Sequence, residues 1–190
     1  MKHRIITLLT MGLFIGFFGC NSPPKTDSER SIFDDMQKEV KERTDNGQIA
    51  ALGVVKSRNV QIAIARAKVE ARKNLAQMVS LKINNLEKQF IEEVGEAKGS
   101  EMNELFSSAT KQVTSQKLQG SVPKMQKFDE KDGITTAYVL MVLDPKIVDA
   151  ALQGGGDSAK HMYERFRASK AFKELDDEIK AYQKAEMQGQ

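Results

Sequence analysis

Ile134-Thr-Thr-Ala-Tyr-Val-Leu-Met-Val-Leu143 is the stretch that decides between two folds for this chain. β-Branched and aromatic residues crowd it, and after Thr136 it is apolar on both alternating faces, the composition of a strand covered on both sides. A helical bundle is the runner-up and leaves Tyr138 to Val142 unexplained. Asp132-Gly133 in front is a turn signal, and before the turn Val122 to Phe128 reads as a weaker strand. Pro123, Lys124 and Lys127 there suit an edge rather than a centre. Asp144-Pro145 ends the strong strand and opens a helix, with Asp144 as cap and Pro145 at the first helical position.

Working back toward the N-terminus, Ile49-Ala-Ala-Leu-Gly-Val-Val55 is apolar on both faces and is expected as a buried strand. Asn59 then caps a periodic segment reaching Val94, whose stripe is Val60, Ile64, Ala67, Ala71, Leu75, Val79, Ile83, Leu86, Phe90 and Val94. Its mean spacing exceeds 3.6 residues, so the stripe rotates around the helix and the two halves must meet different neighbours, or the helix must bend. Ala63, Ala67 and Ala71 allow the first half to lie close against the sheet. Before the first strand, Ile32, Phe33, Met36 and Val40 recur at helical spacing, with Ser28 or Ser31 as N-cap and Asn46-Gly47 as stop. After the long helix, Gly95 and Gly99 break the pattern and Ser100 starts a helix to about Leu118. The order is that of an α+β two-layer sandwich, a sheet of about three strands covered by a long helix, with a C-terminal helical tail.

That tail follows Gly154-Gly155-Gly156, a hinge, and runs as charged helix from Asp157 to about Met187. Within it Phe172, Leu175, Ile179 and Tyr182 follow a 3-4-3 spacing, two turns of coiled-coil pattern. The stripe either packs back onto the domain or serves as an oligomer contact with another chain.

At the other end, Lys2, His3 and Arg4 precede an apolar run from Ile5 that closes on Ile15-Gly-Phe-Phe-Gly-Cys20. About fifteen mostly apolar residues are too short to anchor stably in a bilayer ~30 Å thick and have the proportions of an export signal. Gly19 supplies the small residue before a signal-peptidase cut, and Cys20 supplies a thiol for lipid and, once freed, an amine for a further acyl chain such as palmitate. The pattern is that of a lipoprotein signal; an ordinary secretory signal or an uncleaved anchor are the alternatives. The chain then divides into a signal peptide over 1–19, a tether over 20–30 with Pro23-Pro24, an α/β lipoprotein domain over 31–153 and the helical tail over 157–190. Each buried lipid CH₂ is worth ~0.8 kcal/mol, so two or three acyl chains hold a protein on a membrane. Asn21 after the cysteine points to the outer membrane.

Loss of residues 1–19 removes Lys2 and Arg4 and lowers the formal charge from +3 to +1. So neutral a chain is a poor match for nucleic acid. The single cysteine is committed to lipid, and His161 is the one histidine left, so no Cys/His metal cluster can be assembled. A Ser-His-Asp site would have to run through His161 in a charged helix, where an exposed histidine needs no role. Asp34-Asp35, Glu92-Glu93 and Asp176-Asp177-Glu178 are neighbours that do not point together on a helix and read as solvated surface. Lys56, Arg58, Arg66, Lys68, Arg72 and Lys73 alternate with Glu70 and read as a solvated face rather than a lipid or peptidoglycan site. Gly154 to Gly156 lacks the Lys-Ser/Thr of a phosphate loop.

Residues 51 to 83, Ala-Leu-Gly-Val-Val…Gln-Ile-Ala-Ile-Ala-Arg-Ala-Lys-Val-Glu-Ala-Arg-Lys-Asn-Leu-Ala-Gln…Leu-Lys-Ile, with Tyr138-Val-Leu-Met-Val-Leu-Asp-Pro145, resemble the LPP-twenty family of small bacterial envelope lipoproteins. Relatives of that family include a flagellar outer-membrane lipoprotein. The likeness spans roughly 48 to 150 and centres on a strand followed by an Ala-rich helix carrying Ala-Arg-x-x-Leu-Ala, here Ala71 to Ala76. It implies a compact α/β domain, an outer-membrane or cell-surface location and no established catalytic site. The expectation is a non-enzymatic, lipid-anchored envelope lipoprotein without metal or cofactor. It works structurally or in assembly, through contacts with other envelope proteins or with itself. The alternative is a ligand-binding or accessory domain regulating an envelope enzyme or complex.

Overall fold

The computed structural model describes residues 27–95, 99–118, 121, 123–155 and 157–188. The elements are α1 (Asp27–Asp45), β1 (Ile49–Ser57), α2 (Val60–Val94), α3 (Ser100–Gln112), β2 (Pro123–Lys131), β3 (Ile134–Leu143), α4 (Lys146–Gln153), α5 (Asp157–Arg167) and α6 (Lys170–Gln188). The class is α+β: a three-stranded antiparallel sheet in the order β1-β3-β2, covered by helices. β3 takes the centre, hydrogen-bonded to β1 on one side and β2 on the other. Asp132 and Gly133 turn the β2–β3 hairpin with φ of 53° and 70°, the left-handed pair that a two-residue connection needs.

Alternation along the strands divides the core in two. Ala137, Val139, Met141 and Leu143 of β3 join Ile49 and Ala51 of β1 on the α2 side, while Tyr138 and Leu140 join Ala50 and Met36 of α1 on the other. The long helix covers one face as expected, and α1 adds a layer over the opposite one. Ser28 and Ser31, expected as caps, lie inside α1, which has already begun at Asp27. β1, expected as a buried strand, is an edge; its first half is buried and its second half opens to solvent.

The drift of the α2 stripe is resolved by two sets of neighbours. In the first half Ala63, Ala67 and Ala71 are fully buried over the sheet, so close that a Cβ on Gly53 of β1 would overlap the Ala67 carbonyl and the Ala71 amide. Beyond Leu75 the buried stripe passes through Val79, Ile83, Leu86 and Phe90 and meets α3 and α6. Asn59 caps α2 by accepting from the Ile62 amide at 3.1 Å, and Gly95 closes it in the left-handed conformation. Helix α3 runs on into a π turn over Val113–Lys117 instead of continuing as α-helix to Leu118.

The C-terminal segment is two helices, not one. Ser169 breaks it: its hydroxyl donates to the Phe166 carbonyl at 2.5 Å and accepts from the Phe172 amide at 3.2 Å, which caps α6. The chain thereby folds back. Phe90 of α2, Phe106 of α3, Phe166 of α5 and Phe172 of α6 meet with ring centroids 5.5–6.3 Å apart, mostly edge to face. No described helix is long and apolar enough to cross a membrane.

Candidate functional site

Cys20 and Gly19 lie outside the described residues, as do the rest of the expected signal, most of the tether and Gly156. What is described is where the tether arrives. Glu29, in the first turn of α1, accepts from Thr136 Oγ1 at 2.7 Å and from Lys56 Nζ at 3.1 Å, and its carbonyl accepts from the Tyr138 hydroxyl at 3.3 Å. The Thr136 hydrogen bond, then that of Lys56, hold the Glu29 carboxyl below the usual carboxylate range. One helical turn is thus fastened to β1 and β3 at the hairpin end of the sheet, so the chain enters the domain at a fixed place.

The four residues of the tail stripe face their own domain. Leu175 is fully buried and Ile179 nearly so, both in the core that α2 shares. Phe172 packs half-buried on Phe166, and the Arg167 guanidinium stands 5.4 Å over its ring. Tyr182 is half-buried; burial, then Glu186 and Asp144, push its phenol up. The choice left open by the heptad spacing goes to intramolecular packing, because the four phenylalanines need α5 and α6 to close over them.

The acidic clusters are partly structural. Glu178 pairs with Lys82 of α2, Gln89 donates to Glu174 at 2.9 Å, and the Lys170 amide donates to Glu93 at 2.7 Å. These bonds fasten α6 to α2. Asp35 reaches Lys127 of β2 at 3.6 Å, and Asp176 pairs along its helix with Lys180 at 2.5 Å. Of the basic set, Lys56 and Lys73 are paired with Glu29 and Glu70, and Arg72 donates to the Ser121 carbonyl at 3.3 Å. Arg58 and Arg66 are exposed, as is His161 on α5.

A surface cleft of about 700 Å³ runs between the end of α1, at Thr44, Asp45 and Gly47, and α6, at Lys170, Lys173, Glu174 and Asp177. Its walls are charged side chains of both signs. Gly47, at φ +80°, lies so close to the Glu178 backbone that a Cβ there would overlap the carbonyl. Among the described residues no three His, Cys, Asp or Glu side chains are grouped to hold a metal ion. Tyr163 donates to Asp149 at 2.9 Å, and burial, reinforced by that bond, pushes its phenol up to about 12. The Tyr163 link and the Ser169 cap escape the periodicity reading; a serine in front of Lys-Ala-Phe was the available signal for the second.

No family model matches the chain, and no curated protein matches it. Among solved structures, a hypothetical protein from Francisella tularensis, FTT1539c, is similar at 18% identity and a TM-score of 0.32. The match covers 78% of this chain and 57% of that one, so the chain spans little more than half the length of its structural neighbour.

Proposed function

We propose that the chain is a non-enzymatic lipoprotein of the cell envelope, held in the outer membrane by lipid on Cys20, and that its α+β domain works structurally or in assembly through protein contacts. The observation that carries the reading is the Lys2-to-Cys20 pattern, a charged start, a short apolar run and Gly19-Cys20. Helix α1 begins seven residues after that cysteine, so a folded domain follows a lipid attachment point on a short link. The resemblance to the LPP-twenty family supports the same assignment. The cleft between α1 and α6 carries charged side chains of both signs, a surface suited to contact with another protein.

Metabolic labelling with tagged palmitate tests this on the full chain. Wild type is expected to take up label in the membrane fraction, and Cys20→Ala to lose it. Equal labelling of both would sink the lipid anchor.

A further inference from the structure

In its first half α2 buries one stripe on the sheet and bares another. Ile62, Ala65 and Val69, spaced by three and four residues, share the side turned away from Ala63, Ala67 and Ala71. All three are exposed, Ile62 at 45% and Val69 at 63%. Cations border this stripe. Arg66 stands one turn after Ile62 and one turn before Val69, Lys73 one turn after Val69, and Arg58 just ahead of the Asn59 cap, all of them exposed. Residues 58–73 carry Arg58, Arg66, Lys68, Arg72 and Lys73 against one carboxylate, Glu70, in a chain nearly balanced at 29 Lys and Arg to 26 Asp and Glu. Glu70 meets Lys73 at 3.5 Å and offsets that one cation. Charge alone leaves this face as solvated surface; two exposed β-branched side chains set among the cations make it amphipathic, the pattern of a helix that lies on lipid.

Two further observations agree. Phe128 of β2 pairs in register with Ala137, which lies in the core under α2, so Phe128 projects on the α2 side of the sheet, where it is 55% exposed. Lys56, two residues before Arg58, holds Glu29 in the first turn of α1, so the chain from Cys20 enters at the end of the sheet where α2 begins. The seven residues from Cys20 to Asp27 reach about 25 Å at most. α1 and α2 flank the sheet at about 10 Å per packed layer, so that reach brings the α2 face down to the bilayer that holds Cys20.

We infer that the outward face of α2, from Arg58 to Lys73, lies on a bilayer bearing anionic phospholipid. Ile62 and Val69 enter the boundary between headgroups and acyl chains, and Arg58, Arg66, Lys68 and Lys73 meet the headgroup phosphates while their stems cover the stripe. This rests on the membrane placement proposed above and not on the lipid at Cys20. An acidic protein would neutralise the same cations; the short tether at the same end of the sheet favours the bilayer.

The full chain with Cys20→Ala tests the inference, carrying a polarity-sensitive bimane probe on Val69→Cys or, as control, on Leu81→Cys, an exposed site in the second half of α2. It is reconstituted into vesicles of phosphatidylcholine alone or mixed equally with phosphatidylglycerol. The probe at 69 is expected to shift to the blue in the anionic vesicles alone, and the probe at 81 in neither. Arg66→Glu changes two charges, each worth about a fivefold factor at an anionic surface, and is expected to lower the ratio of docked to undocked domain about 25-fold. Ile62→Ser keeps every charge and is expected to lower it about tenfold. An aqueous probe at 69 in both vesicles, equal shifts at 69 and 81, or a shift indifferent to both Arg66→Glu and Ile62→Ser overturns the inference. So does a photo-cross-linker at 69 that captures an acidic protein in intact cells while the vesicle probe stays aqueous. The chain tested has no thiol at 20, so failed palmitate labelling bears on the anchor alone and an aqueous probe at 69 on this contact alone.

Discussion

Gly53 owes its place to the helix above it, since Ala67 and Ala71 bring the α2 backbone to where a side chain on β1 would stand. Such contact needs small residues on both sides, and the Ala63, Ala67, Ala71 ladder supplies the other half. Gly53→Ala pushes a methyl against backbone atoms, which cannot rotate out of the way as a side-chain tip can. Overpacking of this kind costs about 1–3 kcal/mol, and the rigidity of both partners puts the expected loss at the upper end. Urea unfolding of the full chain measures it. A loss below about 0.5 kcal/mol would show that α2 lifts off the sheet freely and that the alanine ladder is not a contact. Ser169 works at the same scale: one hydroxyl, bonded at both ends of a two-residue break, redirects the C-terminal helix onto the domain.

Helices α4 and α5 are joined by a polar link whose strength depends on pH. Tyr163 of α5 donates to Asp149 of α4, and burial, then this bond, lift its phenol from the ordinary 10 to about 12. A group whose folded value is raised binds its proton more tightly in the folded state. Its contribution is therefore complete below the unfolded value and is lost as pH rises from about 10 through about 12. Wild type is expected to lose more stability than Tyr163→Phe between about pH 8 and about pH 11 in matched urea titrations; equal slopes would remove Tyr163 from the account. The elements differ in how legible they are in the sequence. β3, the Asp132-Gly133 turn and α2 with its Asn59 cap follow from periodicity and end signals, because each is set by its own residues. The edge position of β1 is not written in Ile49–Val55, since a strand apolar on both faces looks the same at an edge as at a centre when helices cover both its faces. The heptad-like spacing of Phe172, Leu175, Ile179 and Tyr182 fits two partners equally. The phenylalanines of α2, α3 and α5 settle which one, and no local pattern announces that they converge. Of the candidate site, the tether's landing point on Lys56, Thr136 and Tyr138 is a purely tertiary arrangement.

At the scale of the molecule, α2 is the shared beam. Its 35 residues span about 52 Å, with the sheet on its first half and the phenylalanine cluster at its far end. One buried row from Ala63 to Phe90 runs through both regions without a polar interruption, and the core residues of sheet and C-terminal helices form one cluster. The tail after the hinge, whose stripe the sequence left free to pack back or to pair with another chain, shares this core through α5 and α6: cutting these helices away would bare Phe90, Phe106 and Leu86 to water. From this continuity, unfolding should be a single cooperative event. Far-UV circular dichroism, dominated by the helices, and near-UV signal from Tyr138 in the sheet and Tyr163 in α5 should then share one midpoint in urea. Leu75→Ala, at the waist where the stripe passes from sheet to helices, should lower that midpoint for both signals together, at a cost of about 2–5 kcal/mol for a fully buried leucine. If the near-UV change splits from the far-UV change in wild type, the sheet and the helical end are separate units. A single transition in wild type that splits only in Leu75→Ala would instead locate the coupling at this residue, because that is where the two halves of the beam meet.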